Sequence, residues 1–437
     1  MSTAPTGSVA PAETVHTPRR VALASAVGTT IEWYDFYLYA TATALVFNQL
    51  FFPSVDPTTG TLAAFATYAA GFGARPIGAV ISGHLGDRLG RKVVLVAALV
   101  IMGLATTAIG VLPTYASIGV GAPILLVVLR IVQGLAVGGE WAGAAILGVE
   151  HAPARRRGFF GSFTQLGSPA GMLLATGSLF LVRVLAGDEA FLAWAWRLPF
   201  LASVLLVGVG LFIRLRISDA AAFRTLRESG EVARLPIVEV FREAPRNVLV
   251  TTGLRLSQIA LFVLLTTYGL TYIAGELGKA NSAGLLAVVI TSALGLATTP
   301  LWAMLSDRIG RRTPYLVGSV GGTIALALFF LAVGTGSTVL IVLAMIIGIN
   351  VTHDAMYGPQ AAWFAELFST RLRYSGASLG YGIGSVVAGG FAPLVAAALV
   401  GDTGSFWPVV AFTAVLSVVT TVAAVAARET AFDPLAA

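Results

Sequence analysis

Long apolar runs alternate along the chain with short polar breaks, many of them basic. The runs reach about 20 residues, enough to cross a hydrocarbon layer of about 30 Å as helix. The pattern predicts membrane helices over 21–50, 60–82, 93–112, 122–150, 158–184 and 191–215. A second set follows over 247–275, 281–304, 314–334, 338–366, 374–400 and 405–427. Residues 1–18 are rich in Ser, Thr, Pro and Ala and read as a disordered tail. The charged stretch 216–246 reads as an amphipathic linker, so the expected units are 19–215 and 247–428, with a short tail at 429–437. No signal peptide is expected, because the first apolar run is too long and holds Glu32 and Asp35.

One polar break occurs twice. Positions 83–92 read GHLGDRLGRK and positions 303–312 read AMLSDRIGRR, an offset of 220. Asp87, Arg88, Gly90 and Arg91 map onto Asp307, Arg308, Gly310 and Arg311, while Gly83 maps onto Ala303. Each copy joins the second and third helix of its set. A repeat of that period means a duplicated bundle, and internal symmetry of this kind marks secondary transporters. Asp87 and Asp307 are expected to cap neighbouring helices or pair with arginines of adjacent loops, holding that end closed in one state. A solvated cluster that only sets topology is the plainer alternative.

Composition sharpens the class. The chain is 57% hydrophobic and 11% charged, against about 25% charged in soluble proteins, so an all-α polytopic membrane protein of twelve helices is expected. It has no cysteine and four scattered histidines, so no metal site is expected. The net charge of +6 does not call for nucleic acid. Of the 27 Lys and Arg, all but Arg75, Arg130, Arg183, Arg197, Arg255 and Lys279 fall in alternate loops or the linker. The positive-inside rule then puts both termini in the cytoplasm, which an even helix count allows. No G-x-x-x-x-G-K-[ST] occurs, so an ATP-driven pump is not indicated. Neither a channel filter nor a nucleophile–base set is visible, and no enzyme is expected.

Charges inside the apolar runs carry the functional signal. A charge at the bilayer centre costs about 2.5–3.5 kcal/mol on insertion scales, so such residues need partners, water or a job. Glu32 and Asp35 share one helix face in IEWYDFYLY, among Tyr34, Tyr37 and other aromatics. Arg130 heads RIVQGLAVGGEWAGA, which also carries Gln133 and Glu140. At 1.5 Å per residue, Asp35 and Arg130 lie about 21 Å up and about 12 Å down their helices, depths that permit pairing. Protonation of Asp35 would then free Arg130 for an anion; a structural ion pair is the alternative. Arg255 occupies the position equivalent to Asp35 under the 220 offset, which suggests one cavity between the halves with acid on one wall and base on the other. Asn350, His353, Asp354 and Tyr357 form a polar stripe in the tenth helix, and histidine titrates near neutrality. The proton-coupling candidates are Asp35, Glu32, Glu140, His353 and Asp354. The substrate candidates are Arg130, Arg255, Tyr34, Tyr37, Gln133, Asn350, Tyr357 and Tyr381.

These motifs together resemble the major facilitator superfamily, whose best-known signature is G-x-L-G-D-R-x-G-R-K between helices two and three. IEWYDF, ARPIGA, RIVQGLAVGGEWAGA, RGFFGSFTQLGSPAG, WRLPFLAS, GPQAAWFAELF and RYSGASLGYGIGS are similar to its metabolite:H+ symporter branch. The resemblance spans about 20–428. It implies two six-helix bundles, alternating access, and Asp35 with Arg130 as a coupling pair. It further implies a proton-driven importer of a small organic acid such as shikimate or a di- or tricarboxylate, with no cofactor beyond the proton gradient. The expected partners are that organic acid, H+ and the lipid bilayer of a bacterial plasma membrane, with no nucleic acid, and a monomer is expected. A carrier of proline or betaine, or an exporter of drugs or metabolites, remains open. Three departures bear on the substrate. Residues 217–221 lack the family's proline, Gly382 stands where a glutamine is common, and no charged heptad tail follows the last helix.

Overall fold

The computed structural model describes residues 18–53, 57–89, 91–137, 140–216, 236–278 and 282–435. The expected tail at 1–17, the middle of the linker (217–235), Gly90, and Gly138–Gly139 of helix four lie outside the described residues. So do the side chains of Asp87, Arg88, Arg91 and Glu140.

The first bundle contains α1 (18–50), α2 (Pro57–Leu89), α3 (Arg91–Val111), α4 (Gly121–Glu150), α5 (157–186) and α6 (188–216). The second contains α7 (Pro245–Glu276), α8 (Ala283–Ile309), α9 (Arg312–Gly334), α10 (Thr338–Glu366), α11 (Arg373–Thr403) and α12 (Trp407–Ala426). A short amphipathic helix, Pro236–Glu243, leads into α7. Eight of the described helices are long and apolar enough to cross a membrane on their own. Pro76, Pro300 and Pro359 lie inside α2, α8 and α10; packed neighbours compensate such breaks in membrane helices.

Packing repeats across the two halves. In the first, α1 lies on α5, α2 on α4 and α3 on α6; in the second, α7 lies on α11, α8 on α10 and α9 on α12. The halves meet where α5 packs on α8 and α2 on α11. Large apolar side chains such as Leu185, Leu205 and Leu249 are more than 70% exposed on the outside, as a lipid-facing surface requires.

Two details differ from the sequence reading. The repeated break is not a long open turn: α2 and α8 stay helical to Leu89 and Ile309, and the second chain reversal is confined to Gly310 and Arg311. Gly310 makes the second reversal at φ 93°, and a Cβ there would meet the Glu429 carboxylate at 2.7 Å. The α5–α6 boundary is likewise sharp, because Gly187 breaks the helix at φ 79°. The second difference is five π-helical stretches among the described residues, two of which, Thr43–Phe47 in α1 and Leu264–Tyr268 in α7, fall at nearly equivalent positions of the repeat.

Candidate functional site

The intramembrane charges are distributed over two places. Inside the first bundle, Glu32 and Asp35 of α1, Arg75 of α2 and Arg130 with Gln133 of α4 line one narrow cleft. Asp35 is buried, and neither of its carboxylate oxygens has a hydrogen-bond partner. No ion pair joins it to Arg130 among the described residues, so the expected pair shares a cleft without closing on itself. Arg130 instead donates from Nη1 to Gln133 Oε1 (3.1 Å), and Gln133 Nε2 donates to Thr106 Oγ1 of α3 (2.7 Å). The guanidinium carbon lies 4.3 Å from the Tyr39 ring centroid and 5.1 Å from that of Phe36, as cation–π contact requires. Gly71 makes the room: a Cβ there would meet Arg130 Nε at 2.5 Å.

Arg255 lies in the second bundle and is not among the residues that line that cleft. The Tyr381 ring that it touches stands in electrostatic reach of Glu32 and Arg75 of the cleft. Its Nη1 donates to Gln258 Oε1 and to Gln360 Oε1 (2.8 Å), and its Nε donates to Ser385 Oγ (3.1 Å). No carboxylate pairs with it among the described residues. The guanidinium lies 3.9 Å from the Tyr381 ring centroid. Trp141 of the first bundle stacks on the same ring at 3.8 Å and 13°. A ring at that spacing fills one face, so Arg255 occupies the other, and Tyr381 is held between the two halves. Gly384 admits the arginine, since a Cβ there would meet Arg255 Cβ at 2.6 Å.

The polar stripe of α10 continues from Arg255. Gln258 Nε2 lies 2.5 Å from His353 Nε2, and His353 Nδ1 lies 2.9 Å from Asp354 Oδ1. Asp354 Oδ2 accepts from Thr298 of α8, and Asn350 donates to Thr291 O (3.0 Å). His353, Asp354 and Tyr357 border a second cleft between α5 and helices α7, α8 and α10. The hydroxyls of Tyr357 and Tyr381 are buried without partners. Tyr37 Oη sits 2.5 Å from Ser168 Oγ, and its ring meets Phe262 of the second bundle at 5.5 Å. Tyr34 was expected near substrate, but its hydroxyl donates to Pro199 O of α6 (2.7 Å) and is committed to packing within the first bundle.

At the end where the basic loops lie, the halves are tied by charge. Asp307 accepts from the backbone N–H of Gly158 (2.8 Å) and Phe159 (3.0 Å) at the start of α5, and from Arg311 Nη1 (2.8 Å). It thus both caps a helix of the other half and pairs with an arginine, at the end where a helix favours negative charge. Glu366 accepts from Arg311 Nη2 (2.9 Å) and lies 3.3 Å from Arg157 Nε. Arg373 pairs with Glu150 at 2.7 Å. Burial alone would lower the Arg311 guanidinium, but the Glu366 and Asp307 carboxylates reverse this and hold it above its usual range. Arg308 is exposed and stands outside the cluster.

Several of these residues were not foreseen. Gln258, Gln360 and Trp141 carry no charge to mark them within the bilayer, and Arg157 and Glu366 pair at the basic end. A signal did exist for the glutamines. Arg130 and Arg255 both belong to Arg-x-x-Gln, as RIVQ at 130–133 and RLSQ at 255–258, and a spacing of three puts the amide beside the guanidinium.

The profile of the Major Facilitator Superfamily matches residues 25–378 and 250–434. The chain belongs to the major facilitator superfamily. A shikimate transporter of Escherichia coli K12 is 43% identical over 395 residues, covering 90% of each chain. An inner membrane metabolite transport protein of the same organism is 38% identical, covering 88% of each. A glycine betaine/proline/ectoine/pipecolic acid transporter of Dickeya dadantii is 36% identical, covering 95% of this chain and 84% of its own. Among solved structures, a proton:xylose symporter bound to 6-bromo-6-deoxy-D-glucose superposes with a TM-score of 0.70 over 96% of this chain and 97% of its own. At 17% identity, that likeness bears on the fold, the twelve-helix major facilitator architecture. Major facilitators are carriers rather than enzymes, and this chain is a multi-pass secondary transporter of a small molecule.

Proposed function

We propose that the protein is a proton-coupled symporter that imports a small organic acid by alternating access. The observation that carries the reading is Arg255. Arg255 is 1% exposed, yet its guanidinium is satisfied by amide and hydroxyl oxygens and a ring face rather than by an acid. A buried cation without a counter-charge is costly, and the arrangement suits a carboxylate that arrives and leaves. Unpartnered Tyr357 and Tyr381 hydroxyls nearby offer further bonds to an oxygen-rich solute. The relative named as a shikimate transporter makes shikimate the first compound to try. Asp35, unpartnered in the same cleft as Arg130, is the leading proton site. The positive-inside rule supports a cytoplasmic position in a bacterial cell for the charge-tied end, with the proton gradient as the energy source in this reading.

A zwitterionic solute such as betaine is the second reading. The stacked Trp141 and Tyr381 rings are suited to a quaternary ammonium group, and one relative is named for such solutes. Uptake into proteoliposomes, with and without an imposed acid-outside gradient, tests both. Shikimate accumulated only with the gradient supports the first reading. Accumulation of betaine but not shikimate supports the second, and uptake that ignores the gradient overturns proton coupling.

A further inference from the structure

We propose that Gln258 is a two-position amide that links the protonation of His353 to the grip on Arg255, so that a proton at His353 loosens the buried arginine. This rests on the proton-coupled reading above and adds a residue and a mechanism to it.

The argument needs only donor and acceptor identities. Arginine has donors and no acceptor. The Gln258 atom facing Arg255 is therefore its carbonyl oxygen, as the Nη1 contact has it. The amide nitrogen, also donor only, then faces His353 Nε2 at 2.5 Å. That ring nitrogen must accept, so in this arrangement the imidazole is neutral and its hydrogen is on Nδ1, where Asp354 Oδ1 accepts at 2.9 Å. Every group in the chain from Arg255 to Asp354 is matched, and only one orientation of the amide allows it.

A proton added to His353 breaks the match. Both ring nitrogens become donors, and Nε2–H points at an NH2 group. Turning the Gln258 amide restores the bond to His353 but presents NH2 to Arg255. One of the two contacts must be lost, and an imidazolium beside a buried guanidinium favours whatever moves them apart. Arg255 would keep Gln360 and Ser385 while giving up Gln258.

The surroundings contain few competing charges. On α10 itself, Asp354 bonds to the ring and Tyr357 stacks on it at 5.1 Å. From α7 the ring meets Phe262 and, through Gln258, Arg255. The parts of α5 and α8 that share its cleft bring Ser168, Thr291 and Ser292, and no titratable group. Tyr315 of α9 stands in electrostatic reach of Arg255 rather than of the ring.

Nitrogen-15 NMR of protein labelled at histidine and arginine side chains tests this without any substrate. His353 and Arg255 are assigned by difference from His353→Asn and Arg255→Lys. The expected result is a neutral His353 with its hydrogen on Nδ1. Acidification should move the Arg255 signals with the same midpoint as the His353 signals, and Gln258→Leu should abolish that joint movement. A neutral Nε2–H form would overturn the proposal. So would a His353 that never titrates, or an Arg255 that ignores it. The tautomer and the joint movement are read on the wild-type protein, so a Gln258→Leu chain that fails to fold leaves two decisive readings. None of them depends on which solute is carried, so their failure is separable from failure of the transport reading.

Discussion

Two arginines and one aspartate set the chemistry at the scale of single residues. Arg130 and Arg255 are each held by a glutamine three positions on and by an aromatic face. Asp35 is held by no hydrogen bond. A carboxylate kept dry and unpartnered is positioned to take and release a proton rather than to brace helices. Asp35→Asn is expected to abolish gradient-driven accumulation in proteoliposomes while leaving counterflow exchange. Unchanged accumulation would remove Asp35 from coupling. Trp141 braces the far face of Tyr381, so Trp141→Ala should weaken substrate binding, read as a rise in Kd by calorimetry, without altering the pH at which uptake is half-maximal. A Kd equal to wild type would show that the stack does not support the Arg255 site.

At the scale of elements, missing side chains matter as much as present ones. The α7–α11 crossing is close because Gly384 lies against Arg255. Overpacking such a contact costs about 1–3 kcal/mol. Gly384→Ala should therefore lower the thermal midpoint of the detergent-purified protein by several degrees. Gly382→Ala, two positions away with nothing within 4 Å, should leave it unchanged; equal midpoints for the two variants would defeat the argument. The sequence was most informative at this scale. Helix positions were legible to within a few residues, because twenty-residue apolar runs leave the chain little choice. The π-helical stretches were not, because one inserted residue leaves no mark on composition. Each turns the residues beyond it by roughly a quarter turn or more about the axis. The stretch Ile347–His353 therefore upsets a face drawn by counting threes and fours. That Tyr34 turns to α6 could not be counted from the sequence. Nor could the absence of Arg255 from the lining of the Asp35 cleft. The 220-residue offset equates positions in the two halves, but it does not say that they face each other.

At the scale of the whole molecule, the two halves touch at both ends. The ties that close the basic end include Asp307 to α5, Glu366 to Arg157, Glu150 to Arg373, and Arg157 to the carbonyls of Thr430, Ala431 and Asp433. Glu366 is shared by Arg157 and Arg311, and removing one partner of a buried ion pair costs about 3–5 kcal/mol. Glu366→Gln should shift the population toward opening there. The natural chain has no cysteine, so a single Ser162→Cys reporter, at a buried site of α5, can be read without background. Its reaction with a water-soluble maleimide should speed up at least tenfold when Glu366→Gln is added. An unchanged rate would mean that this tie does not hold the end shut.

The opposite end is closed by other means: Phe65 of α2 meets Tyr268 of α7 at 6.3 Å, and α2 packs along the outer turns of α11. Apolar contact weakens on cooling, whereas attraction between buried charges does not depend on the release of ordered water. The two closures therefore have different thermometers. Chilling should loosen the aromatic end and spare the ionic one, so temperature alone would choose the side on which this carrier waits.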